Sequence, residues 1–397
     1  MPEATEPPSA AELVLASLIE ATHKLAPDEV VPTVAAHFAA LGMTDVAVYL
    51  VDLDQRLLVP LAADATLADR LDINATRPGL AFRTKEMLEE PAQAGTGTRL
   101  WVPLVDGADR LGVLGVTVAV ADSDTVRRAR NLTSLTASLV ASKSTHGDHL
   151  VLARRLRDMD LAAEMRWSML PPLTFTSDRV AVAGMLEPAY EIAGDAFDYA
   201  VNGDLAHLAI VDAMGHGLEA SRMANLAVGS YRHSRRRGLD LSETFTTMDR
   251  VVAEQFGPER FVTGQLARLD LVTGRLKWVN AGHPPPLLLR DGQPVDDLRC
   301  ETSLPLGLGY VVAEVAEVVL QPGDSVLFLT DGVIEARAPD GGLFGRSRLA
   351  GMWRDAAATG EQPAEILRRL CHSVLDHQKG RLQDDATLLL VSWTGRS

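Results

Sequence analysis

The stretch Val211-Asp-Ala-Met-Gly-His-Gly-Leu-Glu-Ala220 decides how this 397-residue chain is read. Leu208–Val211 is a short apolar strand that runs straight into Asp212. The turn Gly215-His216-Gly217 follows, and then a segment of helical character. A carboxylate at the end of a buried strand must be hydrogen-bonded, paired or bound to a cation, because an uncompensated buried charge is too unfavourable. Two readings are open here. Asp212 caps the following helix, or it joins other carboxylates brought from elsewhere in the chain.

Further aspartates stand at comparable places. Gly194-Asp-Ala-Phe-Asp198 follows a strand, Thr330-Asp331-Gly332 ends the apolar run SVLFLT, and Gln383-Asp-Asp-Ala-Thr387 opens ATLLLV. Taken singly, each reads as a cap or turn residue. Taken together they suggest a centre for hard divalent cations, which take oxygen ligands and offset the repulsion between clustered carboxylates.

Composition sets the bounds. The chain is 47% hydrophobic and 23% charged, enough for a substantial core, and its length suggests two or three domains. The net charge of −15 argues against a non-specific nucleic-acid binder and against an anionic-membrane binder. No uninterrupted apolar run reaches the ~18 residues of a membrane span. The N-terminal MPEATEPPSA lacks the features of a signal peptide, so a disordered tail over 1–10 and a cytoplasmic location are expected. The two cysteines, Cys300 and Cys371, form no CxxC pair. No phosphate-binding glycine loop is present.

Residues 11–121 read as a mixed α/β unit. It has helical spacing over 11–25 and 27–41, a hairpin over 45–61 around Asp52-Leu-Asp54, and two apolar strands over 100–121 joined by Asp106-Gly-Ala-Asp109. This order resembles a GAF sensory domain, with VPLVDGADRLGVLGV similar to the family's final hairpin; a packing or dimerisation module without ligand is the alternative. With no cysteine, and with His23 and His37 in helices, a haem or iron–sulfur site is not expected.

Residues 122–170 read as a helical connector. Asp122 supplies an N-cap. Leu132, Leu135 and Leu139, then Leu152, Leu156, Met159, Ala163, Arg166 and Leu170, recur at helical spacing until Pro171-Pro172. Gly147 interrupts the stripe and Arg166 intrudes on it. The helix either packs on its own domain or pairs with its copy in a homodimer, in which case Arg154, Arg155 and Arg157 stay at the rim or meet acids of the other chain. Residues 171–397 carry many short apolar strands and few helices, which suggests two packed sheets flanked by helices rather than alternating βαβ units.

GDAFD, DAMGHG, NAGHPP, TDGVIEA and DDATLLL, in this order, resemble the successive motifs of the metal-dependent protein phosphatase (PPM) family in its bacterial sporulation stage II E branch. Ala163–Pro171 resembles the helix that opens that catalytic domain, and the resemblance covers about 160–395. The fold class is then α+β: a GAF-like sensory domain, a helical connector and an α-β-β-α sandwich. The resemblance implies hydrolysis of phosphoserine or phosphothreonine with two Mn²⁺ or Mg²⁺ ions per site. Carried over motif by motif, Asp212 bridges both metals. Asp195 and the carbonyl of Ala213 complete one metal's protein ligands, and Asp331 and Asp384 complete the other's. Asp198 and Asp385 are acidic neighbours or ligands of a further weak cation. His216 or His283 is either structural or a proton donor to the leaving oxygen. Arg235-Arg-Arg237 is a solvated helix end or a docking site for an acidic phosphoprotein.

The implied partner is a phosphorylated anti-sigma-factor antagonist. The competing function is a non-catalytic partner-switching module fed by a GAF-type ligand receptor. Retention of Asp195, Asp212, Asp331 and Asp384 counts against it.

Overall fold

The computed structural model describes residues 9–62, 66–92, 95–191, 194–295, 298–309, 313–380 and 382–395. Most of the expected N-terminal tail lies outside the described residues; Ser9 already caps the first helix, in a reciprocal capping box with Glu12. The chain divides into two compact units between Arg157 and Asp158.

The first unit comprises α1 (Ala10–Thr22), α2 (Val30–Ala39), β1 (Thr44–Val51), β2 (Leu57–Pro60), β3 (Leu71–Asp72), α3 (Arg77–Thr84), β4 (Leu88–Pro91), β5 (Thr98–Asp106), β6 (Asp109–Val118), α4 (Ser123–Lys143) and α5 (His149–Ala153). Its sheet runs β3-β2-β1-β6-β5-β4, and every pairing is antiparallel. The strands alternate, so they present two apolar faces. Val48, Leu50, Leu100, Val102, Leu104, Leu114 and Val116 pack against α1, α2 and α4. Val51, Trp101 and Val113 pack under α3 through Ala81 and Phe82.

The connector breaks around Gly147, as the sequence suggested, and again after Ala153. It is three segments: α4, α5 and, in the second unit, α6 (Leu161–Met169). Asp122 does cap α4 through Thr125 N–H at 2.8 Å. Leu132 and Leu139 are buried in the first unit's own core with Leu135 packed against it, so this stripe is covered without a partner helix. Arg154 Nε donates to the carbonyl of Val51 at 2.8 Å, and the charges of Arg154 and Arg157 act on Asp52 and Asp54 of the same unit. Arg154 and Arg157 therefore act on acids of their own unit. Folding the helix back onto its own sheet buries leucines that would otherwise need another chain.

The second unit continues with β7 (Thr174–Thr176), β8 (Val180–Glu187), β9 (Asp195–Asn202), β10 (Leu205–Ala213), α7 (Gly217–Arg236), α8 (Leu241–Phe256), β11 (Val262–Asp270), β12 (Arg275–Ala281), β13 (Leu287–Arg290), β14 (Gln293–Val295), β15 (Thr302–Ser303), β16 (Ala316–Val319), β17 (Ser325–Leu329), α9 (Asp331–Ile334), α10 (Arg346–Ala358), α11 (Pro363–His377) and β18 (Ala386–Trp393). One sheet runs β15-β12-β11-β10-β9 with β16 paired to β12; the other runs β14-β13-β17-β18-β8-β7. Between them lies a core of Phe197, Leu208, Ile210, Trp278, Phe328, Leu389 and Val391. α7 and α8 cover the outer face of the first sheet, and α10 and α11 cover that of the second. The layers are therefore α-β-β-α. Among the described residues, no helix is long and apolar enough to cross a membrane.

Candidate active site

Strand parity aims the carboxylates. On β10, Leu208 and Ile210 face the other sheet while Ala209, Val211 and Ala213 face α7 and α8. Asp212 shares the face of Ile210, because side chains alternate along a strand. On β9, Phe197 and Tyr199 face the other sheet, which places Asp195 on that face as well. Asp195 is the register partner of Asp212. On the opposing sheet, Leu389 and Val391 face inward, so Thr387 and Asp385 follow them. Val326 and Phe328 do the same for Thr330. One end of the inter-sheet space thus collects Asp195, Asp212, Asp385, Thr330 and Thr387.

The two sheets are tied there. Asp195 N–H donates to Asp385 Oδ2 at 3.2 Å, Thr330 Oγ1 donates to Asp195 Oδ2 at 2.7 Å, and Thr387 N–H donates to Thr330 Oγ1 at 3.0 Å. Asp331 opens α9 just past β17, and the Asp384 carboxylate accepts the N–H of Asp385 at 2.9 Å. Asp195, in the motif that follows β8, opens β9.

Two glycines make the close backbone approaches. A Cβ on Gly194 would lie 2.0 Å from the carbonyl oxygen of Ala213, and one on Gly332 would lie 1.9 Å from that of Asp385. Gly215 and Gly217 take positive φ (95° and 70°), which suits the tight turn expected there.

The acids raise one another's affinity for protons. Burial, then the charges of Asp212 and Asp385, hold Asp195 well above the usual carboxylate range. Burial, then Asp331, Asp384 and Asp385, push Asp212 up to about 7, with Arg166 opposing. Burial, and then the charges of Asp331 and Asp384's other neighbour Glu335, raise Asp384 against the hydrogen bond from Asp385 N–H. Among the described residues no three His, Cys, Asp or Glu side chains form a ready-made cage for one ion. The donor set nevertheless fits hard cations: it is all oxygen, and its mutual repulsion is what a divalent ion relieves.

His216 is exposed at the head of α7 and lines an open cleft of about 380 Å³ with Asp160, Glu191, Asp384 and Asp385. His283 is buried, and burial lowers its pKa to about 4. Its N–H donates to Asn280 Oδ1 at 2.8 Å, Asn280 Nδ2 donates back to its carbonyl at 2.8 Å, and Nδ1 lies 3.1 Å from Thr263 Oγ1. It locks the NAGHPP turn and is neutral at physiological pH. Asp198 points the other way from Asp195, into the helix layer. Arg232 grips it through Nε at 2.9 Å and Nη2 at 2.6 Å, and Arg235 does so at 2.7 Å. It is therefore held by arginines, apart from the carboxylates gathered between the sheets, while Arg235 is occupied within the fold rather than free for docking.

Sequence reasoning missed Thr330, Thr387, Gly194, Gly332 and Arg166. The small residues gave no signal of their own. Arg166 did give one, as a charge inside an apolar stripe: it is fully buried, and the acids acting on it are Asp385, Asp195 and Asp212.

Comparison with known proteins agrees with this geometry. Residues 202–394 match the stage II sporulation protein E (SpoIIE) family. Phosphoserine phosphatase RsbU of Bacillus subtilis is 22% identical over 237 residues, covering 59% of this chain and 69% of RsbU. Phosphoserine phosphatase RsbP of the same organism is 24% identical over 188 residues, covering 46% of this chain and 46% of RsbP. The solved SiaA-PP2C domain of Pseudomonas aeruginosa shares the fold, at 22% identity and a TM-score of 0.50 over 64% of this chain and 99% of that one. Over residues 202–394 the chain is thus similar to the SpoIIE family, and it is homologous to RsbU, RsbP and the stage II sporulation protein E of Bacillus subtilis.

Proposed function

We propose that this chain is a metal-dependent phosphatase of a phosphoserine or phosphothreonine protein, controlled by its first unit. The observation that carries the reading is the gathering of Asp195, Asp212 and Asp385 on the facing sheets at one end of the sandwich, with Asp331 and Asp384 beside them. Asp212, Asp195 and the Ala213 carbonyl would hold one Mn²⁺ or Mg²⁺, and Asp212, Asp331 and Asp384 a second. When bound, the two cations supply Lewis acidity and neutralise charge on the phosphoryl group during in-line hydrolysis. The Thr330 hydroxyl fixes the rotamer of Asp195, and the Gly194 and Gly332 contacts fix the backbone from which Ala213 and Asp385 project. His216, on the rim of the open cleft, is the histidine placed to pass a proton to a leaving seryl oxygen; His283 is not.

RsbU and RsbP are named phosphoserine phosphatases, which supports a phosphoserine substrate here. A small phosphorylated antagonist of an anti-sigma factor, met in the cytoplasm, is the substrate we infer. For the first unit we infer a GAF-like input role. A cavity of about 590 Å³ lies beside α3, lined among others by Tyr49, Arg77, Glu90 and Trp101, and would admit a small ligand. For a homodimer through the first unit and the connector, Leu132 and Leu139 are already buried in their own unit, and the exposed Leu152 is the residue left for a partner.

The test is a screen of phosphoproteins from the same cell for Mn²⁺-dependent phosphate release, run beside Asp212→Asn and beside a chain beginning at Asp158. Release by the full chain that Asp212→Asn lacks supports catalysis. Equal rates with and without residues 1–157 under every condition would remove the regulatory role. A chain that binds a phosphoprotein but never releases phosphate would favour the non-catalytic module.

A further inference from the structure

α6 inserts a permanent cation into the acidic end of the sandwich. The helix is pinned on both sides of Arg166: Asp160 N–H donates to the Tyr190 carbonyl at 3.3 Å, and Trp167 Nε1 donates to that of Ala189 at 2.8 Å. Ser221 Oγ on α7 reaches the Ala162 carbonyl at 3.1 Å. The first two bonds fix α6 against Ala189 and Tyr190 just beyond β8, and the third fixes it to α7. Arg166 has no exposed surface, so water cannot solvate its guanidinium and acids must. The acids that act on it, in order of effect, are Asp385, Asp195 and Asp212, themselves linked through Asp195 N–H and Asp385 Oδ2.

We propose that Arg166 is a resident countercharge of the carboxylate centre: it holds the aspartates together before a divalent ion arrives, and it limits how tightly that ion is then held. The charges add up in a simple way. Asp195, Asp212, Asp331, Asp384 and Asp385 bring five negative charges when ionised, two divalent ions bring four positive ones, and Arg166 supplies the fifth. It is a positioning residue; nothing requires it to touch substrate. The inference rests on the cation-centre reading above, and its test separates the two.

The full chain is compared with Arg166→Met, Arg166→Lys and the double variant Arg166→Met/Asp385→Asn. Melting midpoints are read in chelator and in Mn²⁺, and Mn²⁺ affinity by calorimetry. Without metal, the Met variant is expected to melt about 6–12 °C lower, as for a broken buried ion pair in a unit of this size. The Lys variant should retain most of the midpoint, and the double variant should recover much of the loss, because the acid left unpaired is gone. Mn²⁺ should bind the Met variant on the order of tenfold more tightly, since a like charge has left the site. A Met variant that melts like the unaltered chain, or that binds Mn²⁺ more weakly, overturns the proposal. So does a Lys variant as damaged as the Met variant, or a double variant no better than the single one; either result assigns Arg166 to packing. An unaltered chain that shows no Mn²⁺ binding would instead remove the cation centre, and the chelator midpoints would still judge the countercharge.

Discussion

The main-chain N–H of Asp195 donates to Oδ2 of Asp385 at 3.2 Å, so a strand of one sheet is hydrogen-bonded to the loop that opens the last strand of the other. The Thr330 hydroxyl, on Asp195 Oδ2 at 2.7 Å, repeats that link from a second strand. The spacing of the two sheets therefore sets the spacing of the carboxylates. A substitution that shifts the sheets moves the site, and a change of charge at the site acts back on sheet packing.

Asp212→Asn separates chemistry from folding. It removes a negative charge that several neighbours already disfavour, so the melting midpoint without metal should stay or rise. Phosphate release should fall by on the order of 10²–10³-fold or more, and excess chelator should do the same to the unaltered chain. A phosphatase assay beside a thermal melt checks both. Full activity in the variant or in chelator would sink the two-cation mechanism.

Gly332→Ala tests the close backbone approach at the second half of the site. The new Cβ would sit 1.9 Å from the Asp385 carbonyl oxygen, so the Thr330–Gly332 or Asp384–Asp385 backbone must move. A destabilisation of about 3 kcal/mol is expected, with loss of activity at temperatures where the protein is still folded. Denaturant unfolding and an assay at low temperature measure the two. Unchanged values in both would show that the loop yields freely.

Asp198→Asn should disturb stability and leave cation affinity alone. Asp198 is 1% exposed and held by Arg232 and Arg235, whose side chains are 21% and 9% exposed. Leaving these guanidinium groups without their acid should reduce stability by about 3–5 kcal/mol. Mn²⁺ titration of the folded variant should match the unaltered chain. A tenfold weaker Mn²⁺ affinity would return Asp198 to the metal site.

Asp52 makes the first unit's stability depend on pH. Burial is the main cause that pushes its carboxyl up to about 6 from 3.8, against the hydrogen bonds from Leu57 and Arg56 N–H. Between those pH values the native state holds the proton that the unfolded chain releases. Stability therefore falls as pH rises from about 4 to 6, and above 6 the loss levels off near ~3 kcal/mol. Asp54 is raised by burial as well and adds to the same trend. Asp52→Asn keeps an acceptor for Leu57 and Arg56 but cannot ionise. It should match the unaltered chain at pH 4 and be more stable at pH 8, as read by the first unit's melting midpoint. A variant less stable than the unaltered chain at pH 8 would show that the charge is favourable where it sits.

Much of the architecture was legible in local sequence. The few helices expected among the strands of 171–397 form as α7, α8, α10 and α11, because each carries an apolar stripe with clear ends. The hairpins at Asp52-Leu-Asp54 and Asp106-Gly-Ala-Asp109 form where turn residues interrupt strand alternation. The four acidic motifs were visible too, since an aspartate at the edge of an apolar run stands out against its surroundings.

What each of those aspartates meets was settled by tertiary structure. Asp195 and Asp198 lie three residues apart in one motif, yet an odd spacing on a strand sends them to opposite faces, one to the carboxylate centre and the other to Arg232 and Arg235. The leucines of the connector gave the right periodicity but not their partner, because a helical stripe is the same whether its own sheet or a second chain covers it; here Leu132 and Leu139 meet the sheet. Arg166 looked like a flaw in an apolar stripe until the fold placed it beside Asp385 and Asp195. Sequence determined the elements and the acids at their ends, through short-range spacing and turn chemistry. Long-range packing decided which charges share a space, since Coulomb interaction depends on distance across the sandwich and not on separation along the chain.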